Sequence, residues 1–298
     1  MQRRDVIKGG AMLSLAATMG LRAGTAHAAV AGTEVFTAGE QGGVVDSTLI
    51  LGERKALVVD AQFIRAEAEA LVARIEASGR DLETVFITHT HPDHYLGTEF
   101  LLNRWPDAKV YAHPDVAGNI GRTGDAVLAR WQGMMPGGVA DRLIVPEALA
   151  ADHLMLEGER ISILPPMHGD TDIISPVLIE SLDTVIVADL VYNRTHVWAV
   201  ENTTDERLDA WRASLAAVRA LNVGTIIPGH RAADAANDAS AIDFMLSYLD
   251  AWQSLLGTTT DPEVFKAALS EKVGTLPGAF ILDFNALGGT GNLNFDNG

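Results

Sequence analysis

Residues 89–94 read HTHPDH and follow, after Thr88, on the apolar run 85–87. Three of the chain's nine histidines and one aspartate fall in a single turn. A packed core rejects that density, because every buried imidazole needs its own polar partner. A solvated loop has no use for it. Alternate residues of an extended segment share a face, so His89 and His91 can point the same way. A turn at Pro92 then brings Asp93 and His94 to a neighbouring point. Two metal ions ~3.5–4 Å apart suit such a cluster. The chain has no cysteine, so any metal must be held by His, Asp and Glu.

The flanking pattern predicts strands covered by helices. "TEVFTAG" and "DSTLILGERKALVVDAQF" read as opening strands, and "RAEAEALVARIEASG" as a helix stopped at Gly79. A short buried strand then runs into the histidines. "YLGTEFLLNRW" is predicted helical and "AKVYAH" a strand. Residues 115–150 read as a mixed helix and loop insertion near the mouth of the site. "HLMLEGERISILPP" predicts a hairpin turning at residues 157–160, and "IISPVLIESLDTVIVADL" two strands joined at "SLD". "DERLDAWRASLAAVRAL" predicts a helix capped by Thr204 or Asp205, and "VGTIIPGH" a strand ending in a loop. The remainder reads as mostly helical to about residue 256, with a loose tail. No short repeat and no Pro-rich or Ser-rich linker divides residues 29–298, so one domain is expected there.

Further metal-ligating candidates stand at the ends of apolar runs: His168 in "PPMHGDTD", Asp189 in "VIVADLVYN" and His230 in "IIPGH". In this order, "HTHPDH", "MHGDTD", "VADLVYN" and "PGH" resemble the metallo-β-lactamase superfamily over residues 34–235. The resemblance implies an αββα sandwich: an α/β fold of two mixed β-sheets flanked by helices, with metals at one edge of the sheets. It implies that His89, His91 and His168 hold a first ion and that Asp93, His94 and His230 hold a second. Asp189 matches the bridging carboxylate of many non-lactamase members. Asp60 matches an aspartate that orients a ligand rather than binding metal. Zinc, two ions per chain, suits the donors best, with iron or manganese as alternatives.

The implied activity is hydrolysis by a metal-bound hydroxide, opening a lactone, ester or related acyl bond. Asp93 is expected to steer the attacking water or take its proton. Tyr192 comes three residues after Asp189, as does a lactonase tyrosine that polarises the carbonyl. The "HGDTD" stretch departs from the "GHTPGH" form usual in lactonases and lactamases. β-Lactam hydrolysis, a mononuclear-iron persulfide dioxygenase and a non-catalytic periplasmic zinc-binding protein stay open as alternatives. His113 is expected to cap a turn, and His196 and Trp198 are candidates for the pocket wall. The expected partner is a small molecule. A formal charge of −17 lacks the basic footprint of a nucleic-acid binder.

The N-terminus reads as an address. Arg3 and Arg4 precede the apolar "AMLSLAATMGL", and "AHA" at residues 26–28 offers a cleavage site. The apolar stretch is shorter than the ~20 residues of a membrane span. It resembles a twin-arginine signal peptide over residues 1–28, which implies a periplasmic or secreted protein with no stable membrane insertion after cleavage. Oligomeric state is not legible.

Overall fold

A computed structural model describes residues 30–293; the expected signal peptide lies outside the described residues. Two sheets form the centre. The first contains β1 (Gly32–Thr37), β2 (Asp46–Leu51), β3 (Lys55–Val59), β4 (Asp81–Ile87), β5 (Lys109–Ala112) and β6 (Glu147–Ala148), paired in that order. Its β1–β2 and β2–β3 pairs are antiparallel, and the rest are parallel. The second contains β7 (His153–Leu156), β8 (Glu159–Ile163), β9 (Val177–Ile179), β10 (Thr184–Asn193) and β11 (Thr225–Arg231), again in sequence order. Only its β10–β11 pair is parallel.

The layering follows from strands that are apolar on both faces. Successive side chains of a strand point to opposite faces. Leu57, Val59 and Phe86 therefore face the second sheet, where they meet Leu156, Ile161, Ile186 and Ile227. Their neighbours Val58, Val85 and Ile87 face outward, onto α1 (Arg65–Ala77), α3 (Thr98–Arg104) and α4 (Pro114–Met134). On the second sheet Val185 and Val187 turn outward to α5 (Asp205–Ala220), α6 (Ser240–Leu255) and α7 (Pro262–Val273). A final helix, α8 (Ala279–Gly289), packs on α7. This is the expected αββα sandwich of two mixed sheets flanked by helices.

Local differences have physical causes. The predicted helix over residues 95–105 is interrupted: α2 (Pro92–Tyr95) ends before Gly97, and α3 follows it. Gly97 lies so close to the preceding turn that a Cβ there would fall 1.9 Å from the Ala61 carbonyl oxygen. Residues 115–150 are more ordered than expected. They begin with the 21-residue α4, which buries Val116, Ala117, Ile120 and Leu128 against the first sheet. His113 caps it by accepting from the Asp115 N–H. Thr204 caps α5. The β7–β8 hairpin turns through Glu157 and Gly158, both at positive φ, as a tight two-residue loop requires. Two helices, α7 and α8, lie beyond residue 256. Among the described residues no helix is long and apolar enough to cross a membrane.

Candidate metal centre

The β-strands deliver seven donors to one end of the sandwich. β3 ends at Asp60, which takes a left-handed conformation (φ 62°). Its carboxylate accepts from the Thr88 N–H at 2.9 Å and the Thr88 hydroxyl at 2.8 Å. The same group receives His94 Nδ1 at 2.8 Å. Asp60 thus clamps the start of the HTHPDH turn. β10 contributes Asp189 through a bulge. Ala188 sits at φ 45°, and the register with β11 shifts between Ala188 and Tyr192. β11 brings His230 opposite Tyr192.

Each imidazole has one nitrogen committed elsewhere. The Thr88 hydroxyl donates to Asp60, so it accepts from His89 Nδ1 at 2.9 Å and leaves His89 Nε2 with a lone pair. His94 Nδ1 is held by Asp60, and His230 Nδ1 donates to the Gly43 carbonyl at 2.7 Å. His91 is engaged at Nε2 by Glu201 at 2.8 Å, which leaves Nδ1 facing Asp170 Oδ2 at 3.0 Å. The free nitrogens converge on carboxylates. His94 Nε2 lies 3.2 Å from Asp189 Oδ1, and His230 Nε2 lies 3.3 Å from both Asp189 Oδ2 and Asp93 Oδ2. His89 Nε2 is 3.7 Å from Asp189 Oδ2.

His89 Nε2, His94 Nε2, Asp170 Oδ1 and Asp189 Oδ1 are buried with no hydrogen-bond partner. Orphaned, inward-facing lone pairs of this kind are costly in a protein alone and fit divalent cations. The donors fall into two groups that could each hold an ion: His89, His91, Asp170 and Asp189, and Asp93, His94 and His230. Asp60, His89 and His94 are also close enough to share one. The Asp60 oxygens are already engaged by Thr88 and His94 Nδ1, contacts of the kind that orient a ligand from behind.

The electrostatics describe a cluster that holds protons when it holds nothing else. Burial drives His89 well below the usual imidazole range, aided by His94. Burial also opposes charge on His230, but Asp189 and Asp93 outweigh it and lift the group to about 10. Asp170 is pushed up to about 8 by burial, with the neighbouring Asp189 adding to the effect. Burial acts the same way on Asp189, yet His94, His230 and His89 hold it well below the carboxylate range.

One expected ligand is not brought in. His168 turns away: its Nε2 meets Asn202 Oδ1 at 2.7 Å, and its Nδ1 lies 3.3 Å from Asp172. Asp170, two residues on and fully buried, stands with His89, His91 and Asp189 instead. His89, His91, Asp93, His94, Asp189 and His230 are assembled as expected. Tyr192 is also present, stacked on His230 at 4.7 Å between ring centroids. Its hydroxyl lies 2.6 Å from Asp189 Oδ2 and 2.8 Å from Asp170 Oδ2, and the residue is 1% exposed. His196 is buried away from the cluster against Tyr248. Trp198 donates to Glu201, beside His91. Glu201 and Asn202 escaped the sequence reading because they act across long sequence separations. A cavity of about 380 Å³, lined by Thr90, Asn119, Arg122, Thr171 and Asp172 among others, adjoins this end.

The metallo-beta-lactamase superfamily model matches residues 41–230, and the chain belongs to that superfamily. Its fold is similar to a metallo-beta-lactamase family protein of Thermus thermophilus, with a TM-score of 0.59 at 20% identity, covering 86% of this chain and 92% of that one. A metallo-beta-lactamase from Pontibacter korlensis gives a TM-score of 0.50 at 20% identity, covering 73% and 93%. A hydroxyacylglutathione hydrolase of Prochlorococcus marinus is 40% identical over 60 residues, and one of Synechococcus sp. (strain WH7803) is 41% identical over 66. Those stretches are 20% and 22% of this chain and span 22% and 24% of the relatives' own lengths.

Proposed function

We propose that this chain is a divalent-metal-dependent hydrolase that opens lactones, esters or related acyl bonds in small molecules. The observation that carries the reading is the convergence of four imidazoles, each with one nitrogen committed elsewhere, on three carboxylates. His89, His91 and Asp170 would hold one ion, Asp93, His94 and His230 a second, and Asp189 would serve both. Zinc suits the imidazoles. Bound ions would supply Lewis-acid polarisation of the scissile carbonyl and a water nucleophile active at neutral pH. Asp93 is the least buried of the three carboxylates that would take part. His94 and His230 hold it ionised against the effect of burial, which suits it to ligate an ion and to orient a water at the mouth of the site. Thioester hydrolysis is a second reading, supported by the partial likeness to hydroxyacylglutathione hydrolases. Export through residues 1–28 rests on sequence alone, and N-terminal sequencing of the secreted protein, expected to begin at Ala29, tests it.

The mature protein loaded with zinc should be offered lactones, β-lactams, thioesters and phosphodiesters. Turnover of an acyl substrate is expected to disappear on chelation and return with zinc. Turnover indifferent to chelators would overturn the reading, and two bound ions with no turnover on any class would favour a zinc-binding protein.

Tyr192 enters this reading as a positioning residue, because its buried hydroxyl engages Asp189 and Asp170. Tyr192→Phe keeps the stacked ring and removes only the hydroxyl. Loss of such an outer contact weakens metal binding by ~10–100-fold. Chelator competition should therefore register a drop of about tenfold or more, with kcat falling as a consequence. If metal affinity is unchanged while kcat falls tenfold, the hydroxyl acts on the substrate carbonyl instead.

A further inference from the structure

Asp170 does more than substitute for a missing histidine. With an imidazole in that place, the first position would have three nitrogen donors and the shared Asp189. With Asp170 it has two imidazoles and two carboxylates, the same set that Asp93, His94, His230 and Asp189 offer the second. We propose that Asp170 relaxes the zinc preference of the first position, so that it accepts harder divalent ions such as Mn²⁺ or Fe²⁺. The inference rests on the reading above that this cluster binds metal.

The local structure is built around the short side chain. Gly169 lies against the β10 bulge so closely that a Cβ would fall 2.9 Å from the Asp189 carbonyl oxygen and 2.6 Å from Ile174 Cδ1. Asn202 fixes the turn from the other side, donating to the carbonyls of Gly169 and Asp170 at 3.1 Å each. Asn202 also receives His168 Nε2, which keeps that ring turned aside. Held this near, a carboxylate spans the gap: Asp170 Oδ2 reaches His91 Nδ1 at 3.0 Å, while its Oδ1 is buried with no hydrogen-bond partner. Glu201 accepts from His91 at its far nitrogen, so Nδ1 is the nitrogen that would turn to an ion beside Asp170. Carboxylate oxygens favour manganese and other hard ions, and imidazole nitrogens favour zinc. Divalent first-row ions still follow the general affinity order, in which zinc exceeds manganese. Asp170 is therefore expected to narrow the gap between the two ions rather than reverse it.

The test uses the full chain stripped of metal. Zn²⁺ and Mn²⁺ are titrated separately against a chromophoric chelator, and bound Mn²⁺ is counted by electron paramagnetic resonance. Wild type should bind two ions per chain. Asp170→His should raise the zinc-over-manganese affinity ratio about tenfold or more at one position and leave the other unmoved. Asp170→Asn, which keeps the shape and removes the charge, should weaken Mn²⁺ at that same position and covers the case in which the histidine variant does not fold. Two ions bound with the ratio unmoved in the histidine variant, or undiminished Mn²⁺ affinity in Asp170→Asn, overturns the inference and leaves the hydrolase reading standing. Wild type that binds no ion overturns both.

Discussion

Asp189→Asn is expected to lower turnover by ~10²–10³-fold or more while the sandwich stays folded. The magnitude follows from position. Asp189 is 1% exposed, and its two oxygens face His94, His230 and His89 at 3.2, 3.3 and 3.7 Å. Of the three carboxylates proposed as ligands, Asp189 is the one whose oxygens face histidines of both groups. Asparagine keeps the volume, so neither the β10 bulge nor the core behind it is disturbed, but the charge that would join two cations is gone. Ion content should fall from two per chain towards one or none, with the thermal melt retained. Full activity in this variant would remove the bridging role.

Gly229→Ala is expected to damage both stability and site. A Cβ at 229 would stand 1.8 Å from Asp189 Oδ1, 2.7 Å from the Ala188 carbonyl carbon and 2.9 Å from the Asp189 nitrogen. Two of those atoms are backbone, so no rotamer change relieves the clash. Overpacking of this kind costs ~1–3 kcal/mol or more. For a chain of this size that corresponds to a melting temperature lowered by about 2–5 °C. The β10 bulge must shift to relieve the clash, and Asp189 with it, so metal affinity should drop in parallel. Gly133→Ala is the control: it lies in α4 with nothing within 4 Å of its Cβ. It should leave the metal unchanged and hold or slightly raise the melt, and a Gly229 variant that behaves like it would refute the close approach of β11 to the bulge.

The layered core was legible because runs such as "VFI" and "VIV" are apolar without alternation, which marks strands covered on both faces. The HTHPDH turn was legible because its residue types make sense only together. Other features were hidden for identifiable reasons. The bulge at Ala188 depends on a left-handed alanine, which carries no glycine to signal it. The break at Gly97 reflects a tertiary approach to Ala61 rather than a weak helical pattern. Helix α7 carried a readable start, Asp261 as cap with Pro262 in the first turn, although helix was expected only to about residue 256. His168 was expected as a ligand because imidazole is the usual donor there. The departure at "HGDTD" was the available signal that the donor had changed, and the carboxylate two residues on is what the fold delivers. Glu201 and Asn202 sit 110 and 34 residues from the histidines they hold, so no local pattern announces them.

The central claim is that seven side chains from four parts of the chain form one two-ion centre. An anomalous difference map from crystals of the zinc-loaded protein, collected at the zinc edge, tests it most directly. Two peaks are expected, one among His89, His91 and Asp170 and one among Asp93, His94 and His230, with Asp189 between them. A map with no peak in this cluster, or with a peak bound by His168 in place of Asp170, would contradict it.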